Sequence, residues 1–214
     1  NVALTTGDPT GMAPIGFWMH RGCVPFVSYR TFDRIYWPTL KPIIEELWRH
    51  GRQTLFYAEG DWDRHLDTFA ELPERSIVYH VDRGDIFAAH RKLGHKFCLS
   101  GGIPNHLLSY GSEQEVRAMC RKVIEGVARD GGYIMDACAI MQNDTKAANL
   151  RAMTEATREY GVYSDGHASA PAPVGPAAAA DVRPIGRATR TAPGVCRPWE
   201  AQKSRLPPIC GAEG

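Results

Sequence analysis

The chain has 214 residues, a hydrophobic fraction of 43%, and 25 Lys and Arg against 24 Asp and Glu, for a formal charge of +1. That is enough apolar material for one core, and with no basic stripe it argues against nucleic acid as a partner. No run approaches the roughly 18 apolar residues of a membrane span and no signal peptide opens the chain, so a cytoplasmic protein without membrane association is expected.

Residues 1–25 carry Gly, Pro and Thr with little periodicity and read as a loop entering from upstream structure. The chain starts at Asn1 rather than Met, as a fragment would. Ser28 can cap a short helical turn through Phe32 and Tyr36. Pro38 then suits the first position of a helix over Thr39–His50, which Gly51 stops. Ile43, Ile44, Leu47 and Trp48 give that helix its apolar face.

Four strand candidates follow, at Thr54–Glu59, Ser76–Asp82, Lys96–Leu99 and Gly132–Cys138, each succeeded by helical sequence. Asp85 is a natural N-cap for a helix over Ile86–Leu93. Ser112 and Glu115 have capping-box spacing ahead of an apolar face of Val116, Met119, Cys120, Val123, Ile124 and Val127. Asp144 or Thr145 can cap the last helix, which ends near Tyr160 at Gly161.

Strands alternating with helices at this spacing predict parallel pairing through right-handed crossovers. Closing a barrel takes roughly eight strands. The expected fold is therefore α/β, the C-terminal half of a (β/α)8 TIM barrel with about four parallel βα units. This domain spans 1–163. Over 164–214 the composition shifts: of the residues from Asp165 on, 11 are Ala, 8 Pro and 6 Gly, which predicts a disordered tail. Six cysteines (Cys23, Cys98, Cys120, Cys138, Cys196, Cys210) form no CxxC pair, as expected of reduced thiols.

Several motifs, in order, resemble the uroporphyrinogen decarboxylase superfamily. They are Phe32-Asp-Arg-Ile-Tyr-Trp-Pro-Thr-Leu-Lys41, Glu59-Gly-Asp-Trp62 with Glu71-Leu-Pro73, and Asp85-Ile-Phe followed by Lys92-Leu-Gly94. Gly101-Gly-Ile-Pro-Asn-His-Leu-Leu108, Gly131-Gly-Tyr-Ile-Met135 and Lys146-Ala-Ala-Asn149 continue the series. The resemblance implies a (β/α)8 enzyme of one of two kinds. One decarboxylates uroporphyrinogen III, a tetrapyrrole of porphyrin biosynthesis, without a cofactor. The other moves methyl groups between a corrinoid carried by a partner protein and a thiol or methoxylated compound, with zinc holding the thiol.

In such a fold chemistry sits at the C-terminal strand ends. Residues two apart on a strand share a face, so Tyr57 and Glu59 can point together into a barrel mouth. The methyl-transfer branch is similar in carrying His-x-Cys there and a cysteine after the last strand. Tyr57 and Glu59 replace the first two, and Cys138 keeps the third. Glu59 and Cys138 are thus the expected metal pair, with Glu59, Asp61 and Cys138 as catalytic candidates.

Gly101 and Gly102 can admit a ligand close to the backbone and free amide N–H groups to donate, or form a tight turn at positive φ; both readings stand. Tyr57, Asn105 and His106 are expected to contact substrate. Asp82 joins Asp61 and Asp85 as an acidic group able to supply general acids. His80, His90 and His95 show no ligand spacing and read as core or surface.

The arginines and aspartate that the decarboxylases use for substrate carboxylates lie in segments absent here, which favours methyl transfer. An inactive remnant or a non-catalytic binding subunit is the third reading. A half-barrel leaves two strand edges to be covered by a second copy, giving a homodimer, or by the missing N-terminal half.

Overall fold

The computed structural model describes residues 13–163, with Leu4 and Asp8; the tail expected over 164–214 lies outside the described residues. Five parallel strands form one sheet in the order β1-β2-β3-β4-β5, each pairing with its neighbour in sequence. They are β1 (Ile15–Trp18), β2 (Thr54–Ala58), β3 (Ile77–Val81), β4 (Cys98–Gly101) and β5 (Tyr133–Ile134). Sequential parallel neighbours joined by helical crossovers are the arrangement of a partial (β/α) barrel, as the alternation predicts.

Between β1 and β2 run α1 (Tyr29–Thr31), a π-helical turn (Phe32–Tyr36) and α2 (Trp37–Arg49). Ser28 caps α1, its hydroxyl accepting from the Thr31 N–H. Pro38 sits in the first turn of α2, where its missing N–H costs nothing. α3 (Leu66–Phe69) follows β2, α4 (Ile86–Leu93) follows β3, and α5 (Asn105–Tyr110) and α6 (Glu113–Val123) follow β4; α7 (Ala147–Tyr160) ends the described fold. Two further predicted caps form: Asp85 accepts from Phe87 N–H, and Ser112 and Glu115 make a reciprocal capping box.

Three sequence expectations need correction. The first concerns the segment read as an entering loop, which contains β1. Ile15–Trp18 is too short, and its glycine too strong a breaker, for local propensity to reveal it. It exists because Ile15, Gly16, Phe17 and Trp18 align with Thr54, Leu55, Phe56 and Tyr57.

The second is the last strand, expected over Gly132–Cys138. Its ladder holds only Tyr133 and Ile134, with one further bridge between Ile103 and Ala137. The third is the cap of α7, which is neither Asp144 nor Thr145. Lys146 occupies the position without a side-chain bond to the first turn, while the Asp144 carboxylate accepts from Tyr110 Oη at 2.7 Å. Buried Asn149 ties α7 to the end of α5 instead, donating to the carbonyls of Leu108 and Gly111.

Alternation across the pleat divides the sheet into two faces. Phe56, Tyr79 and Leu99 sit in register and belong to the buried apolar core. Phe32, Trp37, Trp62 and Phe69 join that core, with Phe32 and Phe69 each 0% exposed and the His65 ring 3.8 Å from that of Phe32. The second row, Trp18, Tyr57, His80, Ser100 and Ile134, projects from the opposite face. Its outer members Trp18 and Ile134 are 61% and 52% exposed. No helix among the described residues is long and apolar enough to cross a membrane.

Candidate functional site

The parallel sheet delivers the loops after all five strands to one rim, and a cleft of about 650 Å³ opens there. Glu59 comes to it from the end of β2, Asp82 and Arg83 from β3, Gly102 and Asn105 from β4, and Cys138 from the segment after β5. Phe87, Met119 and Ile140 contribute apolar surface. A smaller cavity of about 270 Å³ shares Glu59, Asp82 and Arg83 and extends to His20 and Cys23. Glu59 and Cys138 therefore line one cleft, as their strand-end positions predict.

Glu59 is fixed by two partners. Trp18 Nε1 donates to its Oε2 at 3.0 Å, and His20 Nδ1 sits against the same oxygen. The Trp18 hydrogen bond, and then that from His20, hold the Glu59 carboxyl below its ordinary range. The two side chains remain partly open, 25% exposed for Glu59 and 46% for His20. Neither Trp18 nor His20 is recognisable as a site residue from sequence, because both belong to the segment that hides β1. The readable signal is the apolar run Ile15–Met19 ending in a histidine, the same strand-end pattern that marks Glu59.

Asp82 is the hub of the rim rather than a free acid. Its Oδ2 accepts from Gly60 N–H at 2.8 Å and its Oδ1 from Ala139 N–H at 3.1 Å. Its backbone carbonyl accepts from Cys138 Sγ at 2.9 Å. Asp85 caps α4, and Asp61 turns back on the Asp63 N–H, so the acidic group is largely committed to shaping loops. Asp61 reaches the smaller cavity but not the larger cleft.

Gly101 and Gly102 both adopt φ of +82°. A Cβ on Gly101 would lie 2.3 Å from the Val81 carbonyl, and one on Gly102 would lie 2.8 Å from Ile86 Cβ. The amide expected to be free at Gly102 donates instead to Val81 O, so the pair is a turn required by packing. Asn105 and His106 do line the cleft. The Asn105 amide donates to the Ala139 and Ile140 carbonyls, and its Oδ1 is buried without a partner among the described residues.

Tyr57 is absent from both cavity linings: its hydroxyl accepts from Ile140 N–H at 3.1 Å. Its ring stacks on buried His80, 4.5 Å between centroids at 10°. His80 is thus a core residue of the second face, as its lack of ligand spacing suggests.

The expected zinc pair does not fit a metal ion. Among the described residues no group of three or more His, Cys, Asp or Glu side chains could hold one. Burial pushes the Cys138 thiol up to about 11, and its S–H is directed to a carbonyl. The Glu59 oxygen facing His20 is already engaged twice. With two candidate ligands and no third, the pair falls short of the three protein ligands that a catalytic zinc site uses.

Residues 22–160 match the family model described as Uroporphyrinogen decarboxylase (URO-D). A solved methyltransferase from Methanosarcina mazei is similar in structure, with a TM-score of 0.57 and 16% sequence identity over 71% of this chain. This chain covers 43% of that one, so it spans less than half of its length. No curated protein matches the sequence. With the family pattern running through most of the described fold and the strand ends converging on one cleft, the chain belongs to the uroporphyrinogen decarboxylase family.

Proposed function

We propose that this chain is the C-terminal half of a methyl-transferring enzyme of its family, acting between a corrinoid on a partner protein and a thiol or methoxylated compound. The observation that carries this reading is Glu59, which lines the cleft with Cys138 and holds His20 in the smaller cavity that adjoins it. The fold shared with the Methanosarcina methyltransferase supports the same branch. When bound, the corrinoid supplies the cobalt centre that gives or takes the methyl group.

The protein's own contribution is binding and proton control. Glu59, kept ionised by Trp18 and His20, fixes the imidazole by its Nδ1 and leaves Nε2 to exchange a proton. That proton comes from the thiol acceptor as it becomes nucleophilic, or goes to the oxygen that loses a methyl group. The apolar wall of Ile86, Phe87 and Met119 suits a small organic substrate in a cleft of this size.

Decarboxylation is the second reading, favoured by the family match itself. In it the same imidazole protonates the carbon that loses carbon dioxide. One experiment separates them: the chain is incubated with methylcobalamin and a small thiol, and in parallel with uroporphyrinogen. Demethylation of the cobalamin, lost in Glu59→Gln, supports methyl transfer. Porphyrinogen consumption alone replaces it with decarboxylation, and activity in neither overturns both for the isolated chain.

A further inference from the structure

Ile140 has φ of +56°, in the left-handed region that a β-branched residue rarely enters. It is also 42% exposed, so burial of its own side chain does not explain the conformation. The explanation lies in tethers from three different strand ends. Asp82 Oδ1 accepts from Ala139 N–H at 3.1 Å, and Asn105 Nδ2 donates to Ala139 O at 2.8 Å and Ile140 O at 3.2 Å. From β2, Tyr57 Oη accepts from the Ile140 N–H itself.

Tyr57 can do this because its ring is wedged. It lies 4.8 Å from Trp18 on one side and stacks on His80 on the other, which fixes where the hydroxyl sits. The tethered segment, Cys138 to Ile140, forms a continuous wall of the cleft. Strain that persists at a ligand-lining loop requires surroundings that over-determine it.

We propose that Tyr57 is a positioning residue whose hydroxyl holds Ile140 in its left-handed conformation and so fixes the cleft wall that carries Cys138. This rests on the cleft being the ligand site, but its test needs no activity. Failure of methyl transfer therefore leaves it standing.

Tyr57→Phe keeps the ring stack and removes the acceptor. The expected result is amide exchange across 139–141 at least tenfold faster and Cys138 alkylation faster to match, with Cys120 alkylation unchanged. Unchanged exchange in Tyr57→Phe overturns the proposal. So does an equal acceleration at Cys120, which would report general loosening. Should Tyr57→Phe fail to fold, hydrogen exchange of the unaltered chain carries the test: the Ile140 amide, bonded to Tyr57 Oη, should exchange slowly, and exchange at the rate of an unprotected amide overturns the proposal.

Discussion

The thiol of Cys138 donates to the backbone carbonyl of Asp82 at 2.9 Å, joining the loop after β5 to the end of β3 across the cleft. Burial raises this thiol to about 11. Its thiolate fraction at pH 8 should then be about a hundredfold below that of an ordinary cysteine. Alkylation of Cys138 followed by peptide mass analysis should be slow at pH 8 and accelerate steeply toward pH 11. Rapid labelling at pH 8 would show a thiol free of this environment.

The same shift makes stability depend on alkaline pH. Burial lifts Cys98 and Cys120 to about 11 as well, and raises Tyr133 in the same direction. A native pKa above the unfolded value means that the fold favours the protonated form. Its contribution is whole below the unfolded thiol value of about 8.5 and drains away as pH rises toward 11. Tm measured by circular dichroism should therefore decline across that window.

Glu59→Gln keeps the shape of the side chain but removes the charge that orients His20. Turnover in whichever assay proves active should fall by about 10²–10⁴-fold, the usual worth of a positioned acid–base group. Tm should change little, since both partners are partly exposed. A variant with full turnover would exclude the pair from the chemistry.

Zinc provides a separate test. Chain purified with zinc present and then desalted should retain well under one metal ion for each chain, and Cys138→Ala should not alter that content. Stoichiometric zinc lost with Cys138 would mean that the thiol ionises and leaves the Asp82 carbonyl.

The two glycine turns should respond unequally to alanine. Gly101→Ala meets the Val81 carbonyl at 2.3 Å and a positive φ together, and should cost roughly 2–4 kcal/mol. Gly131→Ala has φ of +85° but nothing within 4 Å, and should cost only about 1–2 kcal/mol. Thermal melts of the two variants give the comparison directly; equal losses would refute the clash.

Much of the chemistry that acts over a few residues was legible, the cap of α7 excepted. The capping box at Ser112 and Glu115, the Asp85 cap, the Pro38 entry to α2 and the stop at Gly161 are decided by neighbours three or four positions away. The alternation of apolar strands and amphipathic helices likewise yields the parallel sheet and the rim that joins Glu59 to Cys138. The sequence by itself determined the family, the fold class and the pair of residues at the mouth of the cleft.

The tertiary structure decided the rest, because those features are pairings between distant segments. β1 is a strand only through its register with Thr54–Tyr57, and it brings Trp18 and His20 onto Glu59 from about 40 residues away. Tyr57 reaches across to Ile140, 83 positions along the chain, rather than into the cleft. Asp82 and Gly102 spend their polar groups on backbone partners that no local pattern announces. A side chain's residue type fixes which bonds it can make, but only the folded chain fixes which partner arrives first.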